Sequence, residues 1–414
     1  VDTLNHLVIF TRYPKPGHTK TRLIPHLDEA DAAQLQKEMT EYTIGQARKA
    51  DVQIEICYTG GTLEEMQHWL GTDFVYTDQG DGNLGERMRD TFEEHFALGA
   101  ERVVIIGSDC PANGWKNIRQ SFQSLQQNDC VIGPAGDGGY YLIGLRKPSP
   151  QLFDGIDWGG DQVFKQTVKA ASGLMVHLLP RLHDVDLPED IPPKISVIIP
   201  TLNEEENLPT ALQKIREGFC VETIVVDGGS SDGTKTVFPD ALELECRAGR
   251  AAQQNLGAVS ATGEILLFLH ADTELPYHWD WIIRDTLADH SVALGAFAFK
   301  VRESFPARKF IEDTTNWRSI KAKLPYGDQG LFMRRETFEQ AGGFPEMPIM
   351  EDYAFVRSVR KLGDVVTVSE PAITSGRRWK QHGVLKVTLV NKLMIAGYHL
   401  GIPPARLATF YRRA

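Results

Sequence analysis

Short apolar runs recur along the chain: HLVIF at 6–10, RVVIIG at 102–107, ISVIIP at 195–200, TIVVD at 223–227 and EILLFL at 264–269. Between them lie longer stretches with helix-like patterning, such as DEADAAQLQKEMTEYTIGQARKA at 28–50 and NLPTALQKIREGF at 207–219. An apolar run with no polar alternate leaves no face for water, so each predicts a strand inside a sheet covered on both sides. Strands alternating with helices predict βαβ units, an α/β fold class and a mostly parallel sheet.

The stretch LPEDIPPK, residues 187–194, gathers proline and charge immediately ahead of a fresh strand. Linkers have this composition, and it predicts one domain over 1–190 and a second over 194–414. The halves follow one plan. Each opens with a strand that runs into a polar loop, and each later presents a strand leading to an aspartate and then a proline, GSDCP in the first half and LHADTELP in the second. Open α/β sheets bind ligands at the carboxyl ends of their strands, so Asp109 and Asp272 are expected to hold something charged.

Composition narrows the ligand. With 414 residues, 42% of them hydrophobic, the chain has material for two or three packed domains. A net charge of −11 leaves no basic surface for nucleic acid, so an anionic partner must be small and met by local Arg and Lys. The five cysteines are scattered and include no Cys-x-x-Cys pair, which argues against a disulfide framework or structural zinc and for a reducing cytoplasm. The first residues lack the basic segment and long apolar run of a signal peptide or anchor, and no run approaches the ~20 apolar residues of a membrane span. A soluble cytoplasmic protein is expected. The stretch from Val384 onward is apolar but broken by Lys386, Asn391 and Lys392. It is expected to pack on its own domain or against a second subunit, ahead of a membrane-surface role.

In the second half, TLNEEENLPTALQKI places Thr201 or Asn203 to cap a helix, with Glu204 and two further glutamates near its positive end. DGGSSDGTK, 227–235, falls one residue short of a P-loop: Thr234 intervenes before Lys235, and Asp227 and Asp232 would repel a triphosphate. Asp227 is better suited to a nucleoside base or ribose. Arg247 and Arg250 then precede the Asp272 strand, and YGDQG, GGFPE, MEDYAFVRSVRK and SGRRWKQHG follow in order.

That order of parts resembles the family 2 glycosyltransferases over about residues 194–380. The resemblance implies a GT-A fold and a nucleotide-sugar donor. It implies that Pro200, Thr201, Asn203, Glu204 and Asp227 line the nucleoside site and that Arg250 approaches the base or phosphates. Asp272 would be the second acid of the family's Asp-x-Asp, holding a divalent cation, Mn²⁺ or Mg²⁺. His270 stands where the first acid is common and suits Mn²⁺ better. Asp352, beside Glu351, would be the catalytic base. Arg377 and Arg378 would neutralise the departing diphosphate, Trp379 would close on the acceptor, and Asp328 would lie between donor sugar and acceptor.

In the first half, RYPKPGHTKTRL gathers Arg12, Lys15, Lys20 and Arg22 around Gly17, a basic loop suited to phosphates. Asp109, Asp137 among glycines, and Asp184 and Asp186 accompany it. This set is similar to the GT-A nucleotidyltransferases, most nearly the branch related to 2-phospholactate guanylyltransferase, over about residues 4–190. The resemblance implies nucleoside triphosphate binding by the loop, with Mg²⁺ on Asp109 and Asp186. The opening departs from it, since FTRYPKPG replaces the usual Gly-Gly-x-Gly. The fusion as a whole resembles a transferase pair associated with radical-SAM and arsenosugar-type biosynthesis. The expectation is a bifunctional transferase of two tandem GT-A (nucleotide-diphospho-sugar transferase, Rossmann-like) domains, acting on a nucleotide sugar and a small acceptor, with a monomer and a homo-oligomer both left open. Its rivals are a nucleotide-sugar sensor with degenerate sites and a purely structural first domain.

Overall fold

The structure, a computed structural model, describes residues 2–24, 26–236 and 241–413. The chain divides into two compact units, Val1–Ile191 and Pro192–Ala414.

The first unit carries strands β1 (Asp2–Arg12), β2 (Val52–Thr59), β3 (Val75–Asp78), β4 (Arg102–Gly107), β5 (Cys130–Pro134), β6 (Tyr140–Leu145) and β7 (Val176–Leu178). They form one sheet in the order β3-β2-β1-β4-β6-β5-β7. Only β6 runs against its neighbours. The second unit carries β8 (Ile195–Thr201), β9 (Val221–Asp227), β10 (Leu242–Glu245), β11 (Ile265–Phe268), β12 (Thr273–Glu274), β13 (Val292–Val301), β14 (Leu331–Arg334) and β15 (Asp364–Thr374). Their order is β10-β9-β8-β11-β14-β13-β15-β12. Apart from the two-residue β12, this repeats the first sheet strand for strand, with β14 as the antiparallel member in the place of β6.

Strand alternation accounts for the two-sided core. Ile195, Val197 and Ile199 of β8 and Ile265 and Leu267 of β11 join a cluster with Leu208, Leu212, Trp279 and Ile283 on one face of the sheet. Ile198, Leu266 and Phe268 point the other way, onto Ala251, Ala258, Phe338, Phe355 and Val359. Gly257 permits the close approach on that second face, because a Cβ there would lie 2.4 Å from Ile198.

Two expectations are corrected. The helix after β8 runs Leu208–Ile215, with Asn207 rather than Thr201 or Asn203 at its cap position. Pro209 fits its first turn, where no N–H is needed, and the preceding residues are tied elsewhere: the Glu204 N–H donates to Thr234 Oγ1 (2.9 Å) and the Gly233 N–H to Glu205 (3.0 Å). The EILLFL strand also stops at Phe268, so Asp272 stands on the turn leading into β12. Among the described residues none of the five cysteines forms a disulfide. Among the described residues no helix is long and apolar enough to cross a membrane.

Candidate functional site

Because β14 is antiparallel, the residues just ahead of it arrive at the same sheet edge as those that follow β8, β11 and β15. That edge of the second unit holds a cavity of about 630 Å³. Pro200, Thr201, Glu204, Arg250, His270, Asp272, Asp328, Asp352, Arg377, Arg378 and Trp379 all line it. The site is thus assembled from segments far apart in the chain, from Pro200 to Arg412.

Two of its arginines are already paired with acids. Arg377 makes two hydrogen bonds to Glu204, one of 3.1 Å, and lies 3.4 Å from Asp272. Arg250, at the start of the helix Arg250–Ser260, pairs with Glu351 at 2.9 Å. Asp352 stands in the first turn of the helix Glu351–Val359, where the helix dipole favours a carboxylate. Its Oδ2 accepts from the Gly327 N–H at 3.0 Å and its Oδ1 from the Tyr353 N–H at 2.7 Å. Met350, just before that helix, holds a left-handed φ of +71°, a strained conformation for a side-chain-bearing residue.

His270 meets Gly327 closely: a Cβ on Gly327 would lie 2.9 Å from His270 Nε2. Burial, and Arg250 nearby, hold the imidazole below its usual pKa and so neutral. Among the described residues the ring makes no hydrogen bond, which leaves a ring nitrogen for a ligand. Asp328 is pushed up to about 6 by burial, with Asp352 and Asp272 adding to the shift against Arg318 and Arg250. Its Oδ1 is buried without a partner.

A folded pKa raised from 3.8 to about 6 costs stability, fully so above pH 6, and the cost disappears as pH falls through 6 toward 3.8. Without added cation, Asp328→Asn is therefore expected to stabilise the fold at pH 8 by on the order of 3 kcal/mol, seen as a higher melting temperature, and the gain should fade by pH 4. Thermal denaturation across that range checks this, and an unchanged or lowered melting temperature at pH 8 would contradict it.

Three expected residues do not line the cavity. Asp227 is buried and accepts from the Gly229 N–H (2.9 Å) and the Ser230 N–H (2.8 Å), so it shapes the 228–230 loop. Asn203, at φ +56°, accepts from the Ser231 N–H (2.9 Å). Glu351 is buried beneath Arg250. The cavity also has walls that sequence reasoning missed. Tyr326 and Tyr353 line it, as do Val387, Asn391, Met394 and Tyr411 from the helices Val384–His399 and Pro404–Arg413. Tyr411 lies under the Arg378 guanidinium at 4.0 Å, and Tyr353 bonds His399 at 2.7 Å, so these helices brace both the basic motif and the Asp352 helix. The polar break at Asn391 was the one signal for them.

The first unit has a cavity of about 810 Å³ at the corresponding edge. Arg12, Lys20, Arg22, Asp109, Asp137 and Asp186 line it together with Asp184. Lys20 Nζ donates to Asp186 (2.9 Å) and to the Val185 carbonyl (2.6 Å) and lies 3.7 Å from Asp109. Burial works against its charge, but Asp109 and Asp186 outweigh it and hold the ammonium above its usual pKa. Asp184 is pushed up to about 7 by burial and by Asp137 and Asp109. Lys15 is exposed and does not reach the cavity; its backbone, with Thr19 Oγ1, closes the loop. Gly17 turns that loop at φ +75°.

Among the described residues no three His, Cys, Asp or Glu side chains are placed to hold a metal by themselves. In the second unit the donor set is a carboxylate and a neutral imidazole, which fits a cation that completes its shell with phosphate oxygens. In the first unit five aspartates, Asp109, Asp137, Asp161, Asp184 and Asp186, line the cavity, hard oxygen donors of the kind that Mg²⁺ takes.

Two sheets of this strand order, each with its cavity at the carboxyl edge, define a tandem pair of nucleotide-diphospho-sugar transferase units of GT-A type. Residues 196–342 match the model of glycosyl transferase family 2, and residues 43–160 match that of an uncharacterized protein conserved in bacteria, DUF2064. The chain is 39% identical over 224 residues to the PGL/p-HBAD biosynthesis glycosyltransferase of Mycobacterium bovis, a stretch covering 48% of this chain and 82% of that one. It is 30% identical over 173 residues to glycosyltransferase AglE of Haloferax volcanii, covering 37% of this chain and only 56% of the length of AglE. Among solved structures, a protein of Desulfovibrio desulfuricans G20 described as a nucleotide-diphospho-sugar transferase is 36% identical, with 45% and 83% of the two chains covered and a TM-score of 0.44. The mannosyltransferase PcManGT of Pyrobaculum calidifontis, in complex with GDP-Man and Mn²⁺, is 25% identical, with 44% and 56% covered and a TM-score of 0.36. The chain belongs to the family 2 glycosyltransferases, and it carries a DUF2064 segment ahead of that domain.

Proposed function

We propose that the second unit transfers a sugar, with inversion, from a nucleotide-diphosphate sugar to a small acceptor hydroxyl. The observation that carries this reading is the convergence of Asp272, Asp328, Asp352, Arg250, Arg377 and Arg378 on one cavity of a size suited to a nucleotide sugar. The Asp352 carboxylate takes the acceptor's proton as its oxygen attacks the anomeric carbon. The bond to the diphosphate breaks on the opposite face, and the charge released there is met by Arg377 and Arg378. Asp272 and His270 would hold a divalent cation, which when bound supplies further neutralisation of the diphosphate. Glu351 keeps Arg250 extended over the cavity. Hydrolysis of a nucleotide sugar by the purified protein, screened over donors with Mn²⁺ or Mg²⁺, tests the reading. Absence of turnover with measurable donor binding would favour the sensor instead.

For the first unit, we propose nucleoside triphosphate binding, with Arg12, Lys20 and Arg22 meeting phosphates, Asp109 and Asp186 holding Mg²⁺, and nucleotidyl transfer as the reaction. The support is the buried Lys20 set among acids in a cavity of its own. Calorimetry on the full chain is expected to show Lys20→Ala and Asp109→Ala each weakening triphosphate binding by about tenfold or more. The more exposed Arg22→Ala should weaken it less. Wild-type affinity in all three variants would remove these residues from the site, and absence of triphosphate binding altogether would leave the unit a structural role.

A further inference from the structure

The helix Val384–His399 is apolar on both sides. Val387, Val390 and Met394 are buried, the last two in one cluster with Ile349, Met350 and Tyr353. On the opposite side Leu385 is 88% exposed, Leu389 60% and Leu393 46%, and Leu400, just past the helix, is 81% exposed. At 100° per residue these four leucines and Ala396 fall within one quadrant of the helix, so they make a continuous stripe rather than scattered exposure. Lys386 borders the stripe on one side and Lys392 and His399 on the other, all exposed.

Charge says what covers this stripe. Residues 371–414 contain eight of the chain's 44 Lys and Arg and none of its 55 Asp and Glu, within a protein of net charge −11. An apolar stripe flanked by ammonium groups, on a segment purged of carboxylates, is the pattern of a helix that lies in the headgroup region of an anionic bilayer. At 16 residues the helix is about 24 Å long and has lysines within it, so it lies on a membrane and does not cross one. A second copy of this chain would bring like-charged segments face to face, which disfavours it as the occupant.

We infer that the outer face of Val384–His399 docks the second unit on an anionic lipid surface, with Leu385, Leu389, Leu393 and Leu400 entering the acyl boundary and Lys386 and Lys392 meeting lipid phosphates. The inner face of the same helix, through Val387, Asn391 and Met394, is a wall of the 630 Å³ cavity, so docking brings that cavity to the bilayer surface. This differs from the sequence expectation, which put packing on the domain ahead of a membrane role: the helix does pack on its domain, and the stripe is what the packing leaves over.

The test is co-sedimentation of the full chain with vesicles of phosphatidylcholine alone and of phosphatidylcholine with phosphatidylglycerol at about three to one. The expected result is binding to the anionic vesicles that exceeds binding to the neutral ones about tenfold and drops severalfold in high salt. Leu385→Ser with Leu389→Ser should lose most of it, and Lys386→Glu with Lys392→Glu should lose the preference for anionic lipid. These side chains are exposed, and unchanged melting temperatures would confirm that the variants fold. Wild-type protein that stays in the supernatant with anionic vesicles overturns the inference, as does binding that the leucine pair does not alter. A leucine-dependent dimer in size exclusion, with no lipid binding, would assign the stripe to a second copy and overturn it equally.

Discussion

Asp352→Asn is expected to slow sugar transfer by about two to four orders of magnitude while donor affinity stays near that of the wild type. The amide keeps the shape of the carboxylate but cannot take the acceptor's proton. It also loses one of the two backbone N–H bonds that Asp352 accepts, from Gly327 and Tyr353, a cost of about 1 kcal/mol to local order and small beside the catalytic loss. Glu351→Gln provides the contrast. Its partner is Arg250, which lines the cavity, so weakening that pair should raise KM for the donor more than it lowers kcat. Single-turnover transfer, or donor hydrolysis while the acceptor is unidentified, separates the two variants. Wild-type rates in Asp352→Asn would remove this residue from the mechanism, and lost donor binding would make it a donor-holding group.

Asp272→Ala is expected to erase the part of nucleoside diphosphate affinity that depends on a divalent cation, a loss of about tenfold or more. Calorimetric titrations of a nucleoside diphosphate with and without Mn²⁺ read this directly. The same substitution frees Arg377 from its second acid, which by itself would strengthen phosphate binding. The predicted sign therefore points to the cation and not to the arginine. His270→Asp should shift the cation preference from Mn²⁺ toward Mg²⁺, since it replaces an imidazole with a hard oxygen donor. Undiminished affinity and unchanged cation dependence in Asp272→Ala would dismiss the metal assignment.

Most of the architecture was readable in the sequence because strands buried on both faces announce themselves as unbroken apolar runs, and ISVIIP and EILLFL each divide their side chains between two cores as such runs must. The acids and arginines of the second unit were readable as well, because charge placed just beyond a buried strand has few reasons to exist. What could not be read was depth. Asp227 and Asp352 look alike in one dimension, yet one carboxylate is consumed by the N–H groups of its own loop and the other lines the cavity. Nor could the sequence show that Val387, Asn391 and Met394 form a wall of the site, since that depends on how a late helix folds back onto residues 349–353. Asp184 and Asp186 stand two positions apart in the sequence, and both line the first cavity.

The repeated strand order sets the two cavities against each other in one respect. In the first unit the segment after its opening strand brings Arg12, Lys20 and Arg22 to the cavity, and the segment after its closing strand brings Asp184 and Asp186. In the second unit the opening segment brings Glu204, and the closing one brings Arg377 and Arg378. The clasp joining opening to closing segment survives with its signs exchanged, Lys20 with Asp186 in one and Glu204 with Arg377 in the other. The polarity of that clasp is thereby inverted, and a bound nucleotide is expected to set its phosphates at the opening-strand rim of the first cavity and at the closing-strand rim of the second. A nucleotide taken up by both would lie in opposite senses on the same scaffold, phosphates leading in one and trailing in the other.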